Sequence, residues 1–202
     1  MEIKMFNKIL LTLITLTWAS LATAVPVTVN MTGDNIISSG GLCDDSNCLD
    51  GIGWSELGPI PNFENWTQSD SITFDLRPGT YYFAFLVFDS GGPEGLLAEF
   101  LWDDQINRSS AAWEVFDDVT GATIESAIEL AANDSAPIWG TIAGISNEAQ
   151  WIWSSNQSPG QDSVWIRTNI TIDSVVVSAP ATLGLLLSAF VVLFARKKLI
   201  SK

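Results

Sequence analysis

The sequence predicts an all-β protein: one β-sandwich domain of the jelly-roll type, flanked by a cleavable signal peptide and a C-terminal transmembrane helix. A chain of 202 residues suits a single domain of about 150 residues plus its ends. Its middle contains many short strand-like segments separated by Gly, Pro, Asn and Asp, as in sandwiches and barrels. Its two ends are apolar and adjoin basic residues. We therefore divide the chain into residues 1–24, 25–174 and 175–202.

Residues 1–24 have the three parts of a secretory signal peptide: two lysines, the apolar stretch 9–16 and an A-x-A cleavage pattern. Ala22 and Ala24 form that pattern, so cleavage leaves Val25 as the first residue of the mature chain. An uncleaved signal anchor is the alternative. The shortness of the apolar stretch disfavours it, because a membrane span needs about 20 apolar residues.

Five strands are predicted, two of them from the alternation of apolar and polar residues and the others from short apolar runs. In the first of them, Ile72, Phe74 and Leu76 share one face and polar residues occupy the other. Residues 80–88 are apolar on both faces, which predicts a central strand covered on both sides. The five strands are predicted at 71–76, 80–88, 96–102, 149–153 and 164–172.

Turns and one helix complete the prediction for the body. Residues 77–79 read R-P-G and residues 89–95 read D-S-G-G-P-E-G, and both are turn or loop signals. One helix is predicted at 123–132, because three aliphatic residues there would share a helical face. A strand in the same place is the alternative.

Two stretches resemble a known fold family. Residues 65–80 read N-W-T-Q-S-D-S-I-T-F-D-L-R-P-G-T, and residues 89–100 read D-S-G-G-P-E-G-L-L-A-E-F. With Trp139-Gly140 and the A-Q-W-I-W of 149–153, they resemble the galactose-binding-like β-sandwich modules of exported bacterial proteins. The resemblance implies one such module over much of the body, in a fold class where sugar binding is common.

Residues 181–195 are apolar throughout, and the apolar segment 179–195 corresponds to a helix of about 26 Å, close to the hydrocarbon thickness of about 30 Å. Arg196, Lys197 and Lys198 follow at once, so the positive-inside rule places this end in the cytoplasm. A buried core helix is the alternative, and the absence of a polar face disfavours it. The predicted topology is an exported body tethered by its C-terminus.

A short motif at 177–183 precedes the apolar helix and the basic tail 196–202. The motif consists of Val177, Ser178, Ala179, Pro180, Ala181, Thr182 and Leu183. This three-part layout resembles the PEP-CTERM sorting signal of exported bacterial proteins, whose motif reads V-P-E-P-A-T-L; the first proline and the glutamate are replaced here. The resemblance implies cleavage at the motif by an exosortase, a membrane-embedded processing enzyme. The resemblance implies release from the inner membrane to the envelope, cell surface or extracellular matrix.

The composition excludes several classes of function. The chain has no histidine, which removes Ser-His-Asp triads, Cys-His pairs and His-ligated zinc or haem. The body 25–195 carries three arginines, no lysine and 22 carboxylates, a net charge of −19. Such a surface repels nucleic acid and anionic lipid, so neither is an expected partner. The acidity favours the binding of divalent cations, or it reflects adaptation to a saline habitat, and both explanations stay open.

Cys43 and Cys48 are the two cysteines of the chain. In an oxidising compartment they predict a disulfide that closes a short surface loop. Asp44, Asp45 and Asp50 lie in or beside that loop and offer oxygen ligands for calcium, with a solvated acidic loop as the alternative.

Two further acidic pairs are candidate calcium ligands: Asp103 with Asp104, and Asp117 with Asp118. Each pair is predicted near a strand end. Neighbouring side chains of an extended segment point to opposite faces, so one member of each pair can reach a shared cation. A structural calcium is the only cofactor that the sequence suggests.

Tryptophan points most directly to a ligand, because indole rings stack on the C–H faces of sugars. In the last predicted strand, alternation places Trp165, Arg167 and Asn169 on the face opposite a row of Val and Ile. These three residues are the predicted glycan-binding candidates, with coverage of their face by another element as the alternative. Trp151 and Trp153 are predicted to pack in the core.

No motif predicts catalysis. Glu99 with Asp103 exemplifies the acidic pairs that glycoside hydrolysis requires, but a chain with 23 carboxylates contains such pairs without any function. The protein is therefore predicted not to be an enzyme, with a carboxylate-based glycoside hydrolase as an alternative.

Six N-x-S/T sequons keep a further alternative open, a permanently anchored ectodomain of type I topology that carries glycans. The six asparagines are Asn30, Asn65, Asn107, Asn133, Asn156 and Asn169. The sequence as a whole predicts an exported, non-enzymatic protein of the envelope or exopolysaccharide matrix that binds glycans weakly. Its expected partners are the export machinery, an exosortase-like enzyme, the inner membrane and a polysaccharide.

Overall fold

The computed structural model describes residues 23–43, 52–53, 64–116, 124–155 and 163–173. Contacts between residues group Ala24–Asp173 into one compact unit. The predicted signal peptide up to residue 22, the sorting motif, the C-terminal helix and the basic tail lie outside the described residues. Within the described ranges, no helix has the length and hydropathy that a membrane crossing requires.

The described chain forms two antiparallel sheets. In sheet A the strand order is β10 (Ile128–Ala132), β11 (Gln150–Trp153), β6 (Gly95–Trp102), β1 (Val25–Asp34) and β4 (Asp70–Leu76), and β7 (Gln105–Arg108) also pairs with β6. In sheet B the order is β3 (Ile52–Gly53), β2 (Ile36–Cys43), β5 (Gly79–Phe88), β12 (Ser163–Ile172), β8 (Glu114–Phe116) and β9 (Ile124–Ser126). The all-β class predicted from the sequence is confirmed.

All five predicted strands are present, as β4, β5, β6, β11 and β12, and their bounds differ from the prediction by one residue at most. The helix predicted at 123–132 is wrong. Ile124–Ser126 form β9 and Ile128–Ala132 form β10 instead, in different sheets, which agrees with the strand alternative. Pairing with β8 and β11 supplies the backbone hydrogen bonds of this segment, and such tertiary pairing overrides a weak local helix preference.

The main core lies between the inner faces of the two sheets. Every second side chain of β1 from Val25 to Met31 is buried there. Phe83 of sheet B contacts Phe100 of sheet A with ring centroids 4.4 Å apart. Trp113 packs against both Phe85 and Phe100 at 5.9 Å. Aromatic rings from both sheets therefore fill one continuous core, as expected for a β-sandwich.

Strand β5 is central in sheet B, between β2 and β12, as predicted. Its inward residues Phe83, Phe85 and Val87 are fully buried. On its outer face Ala84 is fully buried, whereas the larger neighbours Tyr82 and Leu86 are only half-buried. The outer face of β5, predicted to be covered, is thus only partly covered.

Candidate functional site

Trp165 lies on the outer face of sheet B, opposite the buried row that begins with Val164 and Ile166. Its side chain is half-buried. The register of β12 and β8 places Phe116 directly across from it, and the two rings are parallel within 2°, with centroids 6.0 Å apart. Trp165 also packs against Ala84 of the neighbouring strand. The indole is therefore held in position by both adjacent strands.

Arg167 lies next to Trp165 on the same face, and the register places Glu114 directly across from it. The Arg167 Nε donates to Oε2 of Glu114 in an ion pair. The guanidinium carbon also lies 5.4 Å from the centroid of the Phe116 ring. The Arg167 side chain is 11% exposed and that of Glu114 is 48% exposed. The arginine is thus held against the sheet, while the carboxylate extends into solvent.

Asn169, the third predicted candidate, is exposed two residues further along β12. Its strand partner is Tyr82, and its main-chain oxygen accepts a hydrogen bond of 3.0 Å from Nδ2 of Asn107. The three predicted residues therefore lie in one row along β12, on the outer face of sheet B. We call Trp165, Phe116, Arg167 and Glu114 the aromatic–ion-pair site.

Sequence reasoning missed Phe116 and Glu114. The three-residue strand E-V-F is too short for its alternation to be recognised. Only the pairing of β8 with β12 brings the two side chains beside Trp165 and Arg167. A local signal for these contributors is absent from the sequence, because the partners are about 50 residues apart.

The outer face of sheet A is different, because a segment of coil covers it. We call this segment, residues 133–149, the strap. Its apolar side chains form a second core with Leu97 and Trp151 of the sheet, and the members from the strap are Ala136, Trp139, Ile142, Ile145 and Ala149. Trp139 stacks on Trp151 at a centroid distance of 4.6 Å and an angle of 14°. Both predicted core tryptophans, Trp151 and Trp153, are buried as expected, although they belong to different clusters.

Asn133 anchors the strap from inside. It is fully buried, and its Nδ2 donates to the main-chain oxygens of Ile142 (3.0 Å) and Ile145 (2.9 Å). Its Oδ1 accepts from the backbone N–H of Ile142 at 2.7 Å. One amide side chain thus satisfies several main-chain groups of a segment without regular secondary structure, which buried backbone requires.

Asp34 lies at the end of β1 beneath the strap, and its carboxylate Oδ2 accepts a 2.7 Å hydrogen bond from Nε1 of Trp139. Burial raises the pKa of Asp34 above its ordinary value of 3.8. The hydrogen bond from Trp139 lowers this pKa, and repulsion by Asp89 and Glu94 raises it further. The net direction is upward, because desolvation is the largest contribution.

The candidate calcium ligands are only partly described. Asp103 and Asp104 form the exposed two-residue turn between β6 and β7, and Asp103 has a φ of 48°. Aspartate tolerates such left-handed backbone better than most residues, which provides a turn function for this pair. Asp117 and Asp118 lie outside the described residues. Among the residues that are described, no three Asp, Glu, Cys or His side chains form a group able to hold a metal ion.

Glu99 and Asp103 are not brought together. Glu99 is buried on the outer face of sheet A, where its carboxylate accepts from Nδ2 of Asn30 (3.1 Å) and from the backbone N–H of Ser146 (3.0 Å). Asp103 is exposed in the hairpin turn, four residues further along the chain. One oxygen of Glu99, Oε2, therefore attaches the strap through Ser146, and the other, Oε1, bonds to Asn30 of β1.

In two of the six sequons, the asparagine side chain donates both of its amide hydrogens to partners inside the fold. The Nδ2 of Asn107 donates to Oγ1 of Thr168 and to the main-chain oxygen of Asn169. Asn133 is fully buried with its Nδ2 equally committed. A glycan on either nitrogen is incompatible with this structure. Asn156 lies outside the described residues.

The predicted disulfide is only partly described. Cys43 ends strand β2, whereas Cys48 and the acidic loop before it lie outside the described residues.

No protein-family model, curated protein or solved structure matches this chain.

Proposed function

We propose that this protein is an exported, non-enzymatic β-sandwich that binds glycans weakly through the aromatic–ion-pair site. The observation that carries the proposal is the Trp165 indole: half-buried, parallel to Phe116 and beside the Arg167–Glu114 pair. Aromatic rings that are fixed but not covered suit the C–H faces of sugars, and polar groups beside them read the hydroxyls.

The geometry supports a weak, surface-type site. Phe116 on one side and Ala84 on the other restrain Trp165, so little side-chain freedom is lost on binding. Glu114 is half-exposed and already oriented by Arg167, so its carboxylate can accept hydrogen bonds from sugar hydroxyls. One ring and one carboxylate make few contacts, which is why we expect weak binding.

The fold supports the finer assignment to the jelly-roll, galactose-binding-like class. Strands β1 and β12 lie in opposite sheets, and the chain passes from one sheet to the other after β1, β3, β4, β5, β7, β9 and β11. Among the described strands, the consecutive pairs that lie side by side in one sheet are β2–β3, β6–β7, β8–β9 and β10–β11. Repeated crossing between two antiparallel sheets is the connectivity that Greek keys and jelly rolls share.

We propose further that the body is exported by its signal peptide and tethered by its C-terminal helix. An exosortase-like enzyme then releases it near Ala179 and Pro180. This part rests on the sequence of the two ends. The mass of the mature native protein tests it: processing gives a species that begins at Val25 and lacks the tail after about residue 180, whereas a permanent anchor retains residue 202.

Glycan binding is tested on an array of neutral, amino and acidic glycans, with and without calcium. The variant Trp165→Ala should abolish the signal of the wild-type protein. Trp66→Ala is the matched control, because Trp66 is also half-buried but packs on the second core of sheet A. Absence of any glycan signal for the wild type, or equal signals for wild type and Trp165→Ala, contradicts the proposal. A signal that requires calcium would additionally support the predicted structural calcium.

A further inference from the structure

The charges around Trp165 restrict which glycans can bind there. Arg167 is the only basic residue that sheet B contributes in the described strands, and the body has just two others, Arg77 and Arg108. Arg108 forms its own ion pair with Glu148 at 3.1 Å, on a strand of sheet A. Arg77 follows the end of β4. The body has no lysine.

Arg167 is itself neutralised. Its Nε is bonded to Glu114, its guanidinium lies over Phe116, and its side chain is 11% exposed. A carboxylate or sulfate on a sugar normally binds through the exposed fork of an arginine or through a lysine. Here an approaching anion instead meets the half-exposed carboxylate of Glu114.

We infer that the aromatic–ion-pair site selects neutral over anionic polysaccharides, and that Glu114 sets this selectivity. The inference rests on the proposed glycan binding and specifies its ligand class. For a neutral sugar, the Glu114 carboxylate accepts hydrogen bonds from hydroxyl groups. For a uronate, the same carboxylate is a like charge beside the ring on which the sugar stacks, and like charges at a contact are strongly unfavourable.

Two electrostatic effects contribute, and salt separates them. The net charge of −19 repels any polyanion at long range, but this effect weakens as the Debye length falls from about 8 Å at 0.15 M to about 3 Å at 1 M salt. The repulsion by Glu114 acts at the partly buried contact itself, where salt screens it much less. Selectivity that persists at 1 M salt is therefore the part that Glu114 supplies.

The test uses native affinity gels that contain soluble neutral β-glucans or galactans, and the same polymers oxidised at C6 to uronates. We expect the wild-type protein to bind at least one neutral polymer and to bind its oxidised form at least about tenfold more weakly, also at 1 M salt. Glu114→Gln should reduce that ratio several-fold, because it removes the like charge from the contact. Asp75→Asn is the matched control, since it removes the same charge from an exposed position on sheet A.

The outcomes are distinguishable. Equal or tighter binding of the oxidised polymer by the wild type overturns the inference but leaves the proposed function intact. An unchanged ratio in Glu114→Gln, with the melting temperature preserved, removes Glu114 as the selecting residue. The proposed function itself is contradicted if the wild type binds none of the polymers, or if Trp165→Ala still binds the neutral polymer.

Discussion

Trp151 and Trp165 occupy equivalent positions on the two sheets, since each points away from the main core, yet their surroundings differ. Trp151 is fully buried beneath the strap and stacks on Trp139. Trp165 is half-buried and stacks on a residue of its own sheet, Phe116. An outward tryptophan thus becomes core when a coil segment covers it, and stays partly exposed where it packs on neighbouring strands.

The strap explains why the two faces differ. It supplies apolar side chains to sheet A, and polar groups such as Asn133 satisfy its main chain. Sheet B instead provides an ion pair beside its tryptophan. The first arrangement stabilises the fold, whereas the second leaves a carboxylate and an indole in contact with solvent.

The largest expected difference is between Trp151→Ala and Trp165→Ala. Removal of the buried indole should lower the free energy of unfolding by about 3–5 kcal/mol, because it leaves a large cavity. Removal of the half-buried indole should cost clearly less and abolish glycan binding instead. Urea denaturation measures both losses. Equal losses would mean that the two tryptophans are equally structural.

Asn133→Ala should have the next largest effect, a loss of about 3 kcal/mol. The substitution leaves several buried main-chain groups of the strap without partners, and each such group costs about 1–3 kcal/mol. Asn169→Ala is the control, because Asn169 is exposed. Urea denaturation again gives the loss. If Asn133→Ala were as stable as the control, the strap would not depend on its anchor.

Gly95→Ala should cost about 1–3 kcal/mol, the usual range for an overpacked core. A Cβ at this position would lie 2.9 Å from Cε3 of Trp151 and 3.6 Å from Cζ2 of Trp139, so the stacked pair must shift. The loss should shrink when the same substitution is made in a Trp151→Leu background, because the obstructing ring is then gone. A thermal-melt double-mutant cycle measures this, and an undiminished loss would place the conflict elsewhere.

Asp34→Asn should have the smallest effect, and it should be stabilising. The folded pKa of Asp34 is raised, so the folded protein binds this proton more tightly than the unfolded chain, and stability falls as pH rises through the folded pKa. At pH 7 the amide removes the buried charge and still accepts from Trp139. The gain over the wild type should therefore shrink as the pH is lowered towards 3.8. A gain that is constant with pH would exclude the titration of Asp34 as its cause.

Much of the fold was accessible from the sequence, whereas less of the candidate site was. Alternation predicted that Ile72 and Leu76 are buried. It also predicted that Trp165 and Arg167 lie on one face of β12 and Val164 on the other. It did not predict Phe116 or Glu114, because their contribution depends on which strand pairs with β12. It also did not predict the strap, because Pro137, Gly140 and Gly144 interrupt its apolar residues and no regular element forms there.

The sequence by itself determined the β class, the positions of β4, β5, β6, β11 and β12, and the apolar side of β4 and β12, because these follow from the order of neighbouring residues. Tertiary structure decided that residues 124–132 contain strands rather than a helix, that Trp151 is fully buried but Trp165 only half-buried, and that Glu114 pairs with Arg167. Each of these outcomes depends on contacts between residues far apart in the chain, and the free energy of such contacts exceeds the local preferences that a sequence pattern records.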